Sequence, residues 1–156
     1  MEFKAREVLS DCKDALEELN NVQGSIWRRR FITAMTLLRA VGHVLIKVDG
    51  KTGDIHKSVI ENQWAIWKND RKNHEIYFSF IEKERNLILK EYQINGGQSV
   101  TILMDEDRCE YSYPMNDGYY KGRDQREMIL EAIQWWEREL SIIENEIEKR
   151  EQSELK

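Results

Sequence analysis

A chain of 156 residues, 40 % hydrophobic and 34 % charged, has the length of one ordinary domain and enough apolar side chains for one sizeable core. Its formal net charge of −5 excludes a protein that coats nucleic acid through global charge, although it leaves room for a local basic patch. Two widely separated cysteines, Cys12 and Cys109, with no CxxC or nearby histidine pair suggest neither a disulfide framework nor a zinc site, and lead us to expect a reducing, cytoplasmic setting with no metal and no cofactor.

The N-terminal stretch interrupts its apolar residues with charges every few positions, which excludes a signal peptide. No later run is expected to reach the ~18 apolar residues of a membrane span. Ala5, Val8, Leu9, Cys12, Ala15, Leu16 and Leu19 follow the i, i+3, i+4 rhythm of an amphipathic helix that stops in "NNVQG". A second helix is predicted over Ser25 to Val48. From Phe31 onward it is apolar on nearly every side, so we expect neighbours all round it, at the centre of a bundle.

"DGKTGD" then breaks the chain. It contains a Gly-Lys-Thr, but Leu45 stands where a phosphate-binding loop needs its first glycine, so it is read as a loop and no more. Ser58 and Glu61 have capping-box spacing for a third helix with Ile60, Trp64 and Trp67 on one face. A fourth helix is predicted from about Asn73 to Tyr92.

After "NGG" the pattern changes. "SVTILM" and "CEYSYPM" are short and rich in β-branched or aromatic residues, and the polar "DEDR" between them reads as a turn, giving a hairpin inserted at about 98–115 with Pro114 near its end. Asp124 and Glu127 then cap a last long helix. Its residues Ile129, Ile133, Trp136, Leu140, Ile143 and Ile147 step by 4 and 3, a heptad seam for the bundle or for a second copy of the chain. Trp135 lies about 100° from that seam and is expected at a rim or on a partner surface. The fold class is therefore all-α, a bundle of about five helices in a single domain over 1–156, with a small β-hairpin before the last helix.

One charge falls in an unexpected place. On a wheel of 100° per residue, Phe78, Ile81, Ile88, Leu89 and Tyr92 all lie within about 60° of Arg85, which centres a guanidinium on an apolar stripe. Such a group needs a carboxylate, backbone carbonyls, a partner subunit or an anionic ligand, unless its tip snorkels to water. Asn86 and Lys90 border it. On the second helix, Arg39 has Ile32, Met35 and Ile46 within about 40°, and His43 follows one turn later. Both arginines are thus expected to face the core, with Arg85 near Arg39 or His43 across a helix pair.

"RNLILKEY" resembles the motif of HEPN domains, all-α proteins in which an arginine, often followed by a polar residue, precedes a histidine with four to six residues between them, with a tyrosine two places further on in one subgroup. Arg85, Asn86 and Tyr92 match, and Lys90 stands at the histidine position. The resemblance implies a HEPN-like fold, an RNA or nucleotide ligand, a homodimer whose paired motifs share one cleft, and a nucleotidyltransferase-type protein partner in a toxin–antitoxin-like pair. It also implies that Arg85, Asn86, Lys90 and Tyr92 form the degenerate site of a metal-independent endoribonuclease, with Arg39 and His43 in support. An unshifted lysine is a poor proton shuttle near neutral pH, which argues against efficient cleavage. Two functions stay open: RNA or nucleotide binding with little or no catalysis, and a dimerising interaction module that binds no nucleic acid.

Overall fold

A computed structural model describes residues 2–103 and 108–155. The fold class read from the sequence is what forms: five α-helices and one two-stranded antiparallel hairpin. Helix α1 (Lys4–Glu17) buries Ala5, Leu9, Cys12 and Ala15 on one face. Burial pushes the Cys12 thiol up to about 12, so it sits there as a neutral apolar group. Helix α2 (Gly24–Lys47) lies against α1, α3, α4 and α5 and buries Trp27, Phe31, Met35, Leu38, Val41 and Leu45.

Two expectations for α2 are corrected. Its neighbours do not surround it, because Thr33, Thr36, His43, Ile46 and Lys47 are exposed along one side. It is also long and apolar enough, by length and composition alone, to cross a membrane, with a best window of mean hydropathy 1.5 of which 39 % is buried in the protein. The central helix of a folded bundle has that composition for packing reasons.

A 3-10 turn at Asp49–Lys51 leads into α3 (Asp54–Asn69). The helix starts a turn earlier than Ser58, with Gly53 at its N-cap, so the capping box does not form. His56, Val59, Ile60 and Trp67 continue one buried face back to the first turn, and this packing sets the boundary. Ser58 lies inside the helix and accepts from Arg150 Nη1 at 3.4 Å.

The fourth helix is interrupted. A 3-10 turn at Arg71–His74 is followed by a π-helical segment at Tyr77–Glu82, and only then by α4 (Lys83–Glu91), with Tyr92 in the left-handed region at φ 50°. Bonding of the i→i+5 type holds roughly one residue more per turn than an α-helix and widens the helix locally. The buried line runs through Tyr77, Phe80, Ile81, Glu84 and Ile88, while Leu89 and Tyr92, both placed on the apolar stripe by the wheel, are exposed.

In the hairpin, β1 (Ser99–Leu103) pairs with β2 (Arg108–Ser112), Val100 opposite Tyr111. The turn residues Asp105 to Asp107 lie outside the described residues. Its base is fixed from three directions. Tyr113 stacks on Trp27 at 3.5 Å and donates to the Val22 carbonyl at 2.9 Å; Gln125 accepts from Trp27 Nε1 at 2.9 Å and donates to the Gly97 carbonyl at 2.9 Å.

Asp124 caps α5 (Gln125–Glu154), accepting from the Arg126 and Glu127 amides. All six seam residues are buried within the one chain, so the seam serves the bundle and a second copy would have to use another surface. Trp135 is in the core as well, against the expectation of a rim. It joins Trp67, Tyr77 and Trp136 in an aromatic cluster with ring centroids 4.7–6.2 Å apart. That cluster forms the floor under Arg39.

Candidate functional site

Gly42 lets α5 come close to α2. A Cβ there would lie 3.1 Å from Trp136 Cη2 and 3.5 Å from Arg39 Nη1. Trp136 in turn donates its Nε1 hydrogen to the Leu38 carbonyl at 2.9 Å. Arg39 is held above this packing, half-buried, with its Cζ 5.6 Å from the centre of the Tyr77 ring. Its Nε and the Tyr77 hydroxyl are both buried without a hydrogen-bond partner. Unpaired buried donors of this kind are rare enough to need an explanation.

Arg85 arrives from α4, which packs on α2. It is half-buried at the flank of α4, where the sequence reading had it at the centre of the buried face, and it donates to Asn86 Oδ1 at a long 3.5 Å. Among the described residues the internal Arg to Glu pair that would have neutralised it is not made. Glu84, the buried carboxylate next to it in sequence, accepts from the Asn95 amide at 3.2 Å and from Asn95 Nδ2 at 2.9 Å, and so anchors the loop after α4. Burial raises the Glu84 pKa and the Asn95 hydrogen bonds oppose that rise. Among the described residues neither Arg39 nor Arg85 has a carboxylate within 4.0 Å.

His43 stands one turn beyond Arg39 and is exposed. Partial desolvation of its ring lowers its pKa, and the charges of Arg39, Arg85 and Lys47 lower it further. Burial pushes the Tyr77 hydroxyl pKa up, with Arg39 opposing the rise, the Glu82 carboxylate adding to it and Arg85 opposing it. Arg39, His43, Arg85 and Tyr77 are thus one electrostatic group at the α2–α4 junction. Such a group suits an anion: two fixed cations, a ring that gains its proton once negative charge arrives, and an amide at the edge.

The rest of the motif is not gathered there. Lys90 is exposed and lies about 140° round α4 from Arg85, and Tyr92 has left the helix with its side chain in solvent.

Two polar features escaped the sequence reading. Asp49 is buried and both its carboxylate oxygens bond to α1 amides. Glu139 is buried in α5 and accepts from Trp67 Nε1 at 2.6 Å and Gln63 Nε2 at 2.9 Å, with His74 Nδ1 3.8 Å away. The one available signal for Glu139 was its place three residues after Trp136 and one before Leu140, beside the seam. No cluster of His, Cys, Asp or Glu arranged to hold a metal ion is found among the described residues. No family model, curated protein or solved structure matches the chain.

Proposed function

We propose that this is a HEPN-like protein that binds RNA or a nucleotide through the α2–α4 junction and cleaves RNA weakly or not at all. The observation that supports this reading is that Arg39 and Arg85 both act on His43 while no carboxylate among the described residues lies within 4.0 Å of either guanidinium. On a chain of net charge −5, two half-buried guanidinium groups left unpaired are costly unless an anion completes them. The group that can exchange a proton near neutral pH in this cluster is His43, on α2, and Lys90 has no part in it.

The test is binding of labelled single-stranded RNA at low salt. Arg39→Ala and Arg85→Ala should each weaken binding and reduce the salt slope by about 0.7. A native protein with no detectable RNA or nucleotide binding, or one whose binding neither change affects, would leave the arginines structural.

A second reading has its own support. Leu89 and Tyr92 are 62 % and 70 % exposed next to Arg85, an apolar edge suited to a second copy of the chain or to a nucleotidyltransferase-type partner. A homodimer built there would bring two Arg85 groups toward a shared cleft. Light scattering that gives the 18.7 kDa monomer mass at micromolar concentration would remove the homodimer.

A further inference from the structure

The cations of α2 do not end at the junction. Arg39, His43 and Lys47 recur at every fourth residue, about 6 Å apart along the axis, and the last two are exposed. His43 feels both of its neighbours, so the row is continuous. It leads into a cleft of about 370 Å3 between the end of α2, the loop that follows and the first turns of α3, which Lys47, Lys51 and Lys57 line together with the half-exposed Ile46.

We propose that this cleft is a second backbone subsite for the same single-stranded RNA, so that the strand runs from Arg85 and Arg39 along α2 and over the "DGKTGD" loop. The inference rests on the reading of the junction as an RNA site.

The distribution of carboxylates supports it. Asp49, the acid nearest in sequence to Lys47 and Lys51, is turned inward, with both oxygens on the α1 amides at 2.8 Å and 2.9 Å. Asp54 and Glu61 do line the cleft, but Glu61 faces Lys57 at 4.0 Å, and neither Lys47 nor Lys51 has a carboxylate within that distance among the described residues. The contrast with a larger cleft between the start of α1 and the C-terminal half of α5 is sharp, since Glu2, Glu144, Glu148 and Glu151 surround a single Arg6 there. Cations spaced along a helix and ending in an open cleft suit a flexible, singly charged backbone. Ile46 adds an apolar contact for a sugar or base.

The experiment compares two labelled oligouridylates, one of about four nucleotides and one of about twelve, across a salt series by fluorescence anisotropy. The triple variant Lys47→Ala, Lys51→Ala, Lys57→Ala should bind the short strand as the native protein does. Its salt slope on the long strand should fall by about 2, at about 0.7 for each lost contact. All three lysines are exposed, and unchanged circular dichroism confirms that the variant folds. A matched control removes Lys68, Lys72 and Lys121, which are exposed elsewhere, and should leave both strands unaffected.

An unchanged slope in the cleft variant, or an equal loss in the control, overturns the cleft as a subsite even where Arg85→Ala weakens binding. Failure of the native protein to bind either strand overturns both the subsite and the reading of the junction.

Discussion

Asp49 caps a helix to which it does not belong. From the turn after α2, its Oδ1 accepts the Lys4 amide at 2.8 Å and its Oδ2 the Ala5 amide at 2.9 Å, taking the place of the missing side-chain cap on α1. Because the carboxylate is buried and ties α1 to the end of α2, Asp49→Ala should cost about 2 kcal/mol. In urea the midpoint should fall with little change in m, and Asp49→Asn, which keeps one acceptor, should recover part of the loss. A midpoint unmoved by the alanine change would mean that the cap adds nothing.

Glu139 joins α3 to α5 by accepting from two donors at once. Glu139→Ala leaves the Trp67 hydrogen buried and unpaired and the half-buried Gln63 amide without its acceptor, and should cost about 3 kcal/mol, while Trp67→Phe removes a donor and part of a ring and should cost less. The double variant should lose less than the sum of the two in calorimetry or urea melts, since the changes act on one bond. Strict additivity would mean that the bond contributes nothing.

Arg6 clamps α1 to α5 through Glu137, Ser141 and Glu144, with Glu144 held at 2.7 Å and 3.0 Å. A hydrogen bond from Lys13 first, and Arg6 after it, hold the Glu137 carboxyl below its ordinary pKa. A carboxyl lowered in this way adds stability above its unfolded value of about 4.3, and that contribution is lost as pH falls through the folded value. Arg6→Ala should therefore cost about 1–2 kcal/mol near neutral pH, and the difference from the native protein should narrow below about pH 4. A difference independent of pH would remove the electrostatic account and leave only the packing of the Arg6 stem.

His43 provides a readout of the junction by NMR. Its folded pKa lies below the unfolded value of about 6.5, so the unfolded chain takes up the proton first. The stability linked to it is full above that value and declines as pH falls through the unfolded and then the folded pKa. Arg39→Gln should move the His43 titration back upward, and bound RNA should do the same by bringing phosphate beside it. A titration indifferent to both would place His43 outside the cluster.

Lys90→His should not create cleavage activity. The motif read as a linear string suggests that it would, but α4 turns Lys90 about 140° away from Arg85 and into solvent. Native protein and variant should give the same trace in a single-stranded RNA cleavage assay. A gain with the variant would mean that the site assembles around residue 90 in some other arrangement.

The helices were legible in the sequence wherever one period holds from end to end. The heptad steps from Ile129 to Ile147 and the rhythm from Ala5 to Ala15 gave both the element and its buried face. Arg85 was legible as an anomaly and its nearness to Arg39 as a possibility, yet its depth was not, because Leu89 and Tyr92, apolar enough to be counted on the buried face, are exposed and leave that face centred on Ile81, Glu84 and Ile88. Ser58 misled for a different reason: the capping-box pattern also arises when two polar residues share the outer face of a helix. Asp49 and Glu139 act through partners more than forty positions away, which a reading of local patterns cannot supply.

The π segment makes the junction depend on the length of the chain as well as on its side chains. Tyr77 to Glu82 holds roughly one residue more than an α-helical path would need. Deleting a single residue there would let a plain α-helix join the same flanks in phase, whereas adding one, whatever its identity, would turn everything after it by about 100°. Glu84 would leave Asn95, and Arg85 would swing away from Arg39 without being touched. The spacing between the aromatic floor and the "RNLILKEY" stretch is therefore itself a determinant of the site, and the two cannot be moved apart by one position and still meet.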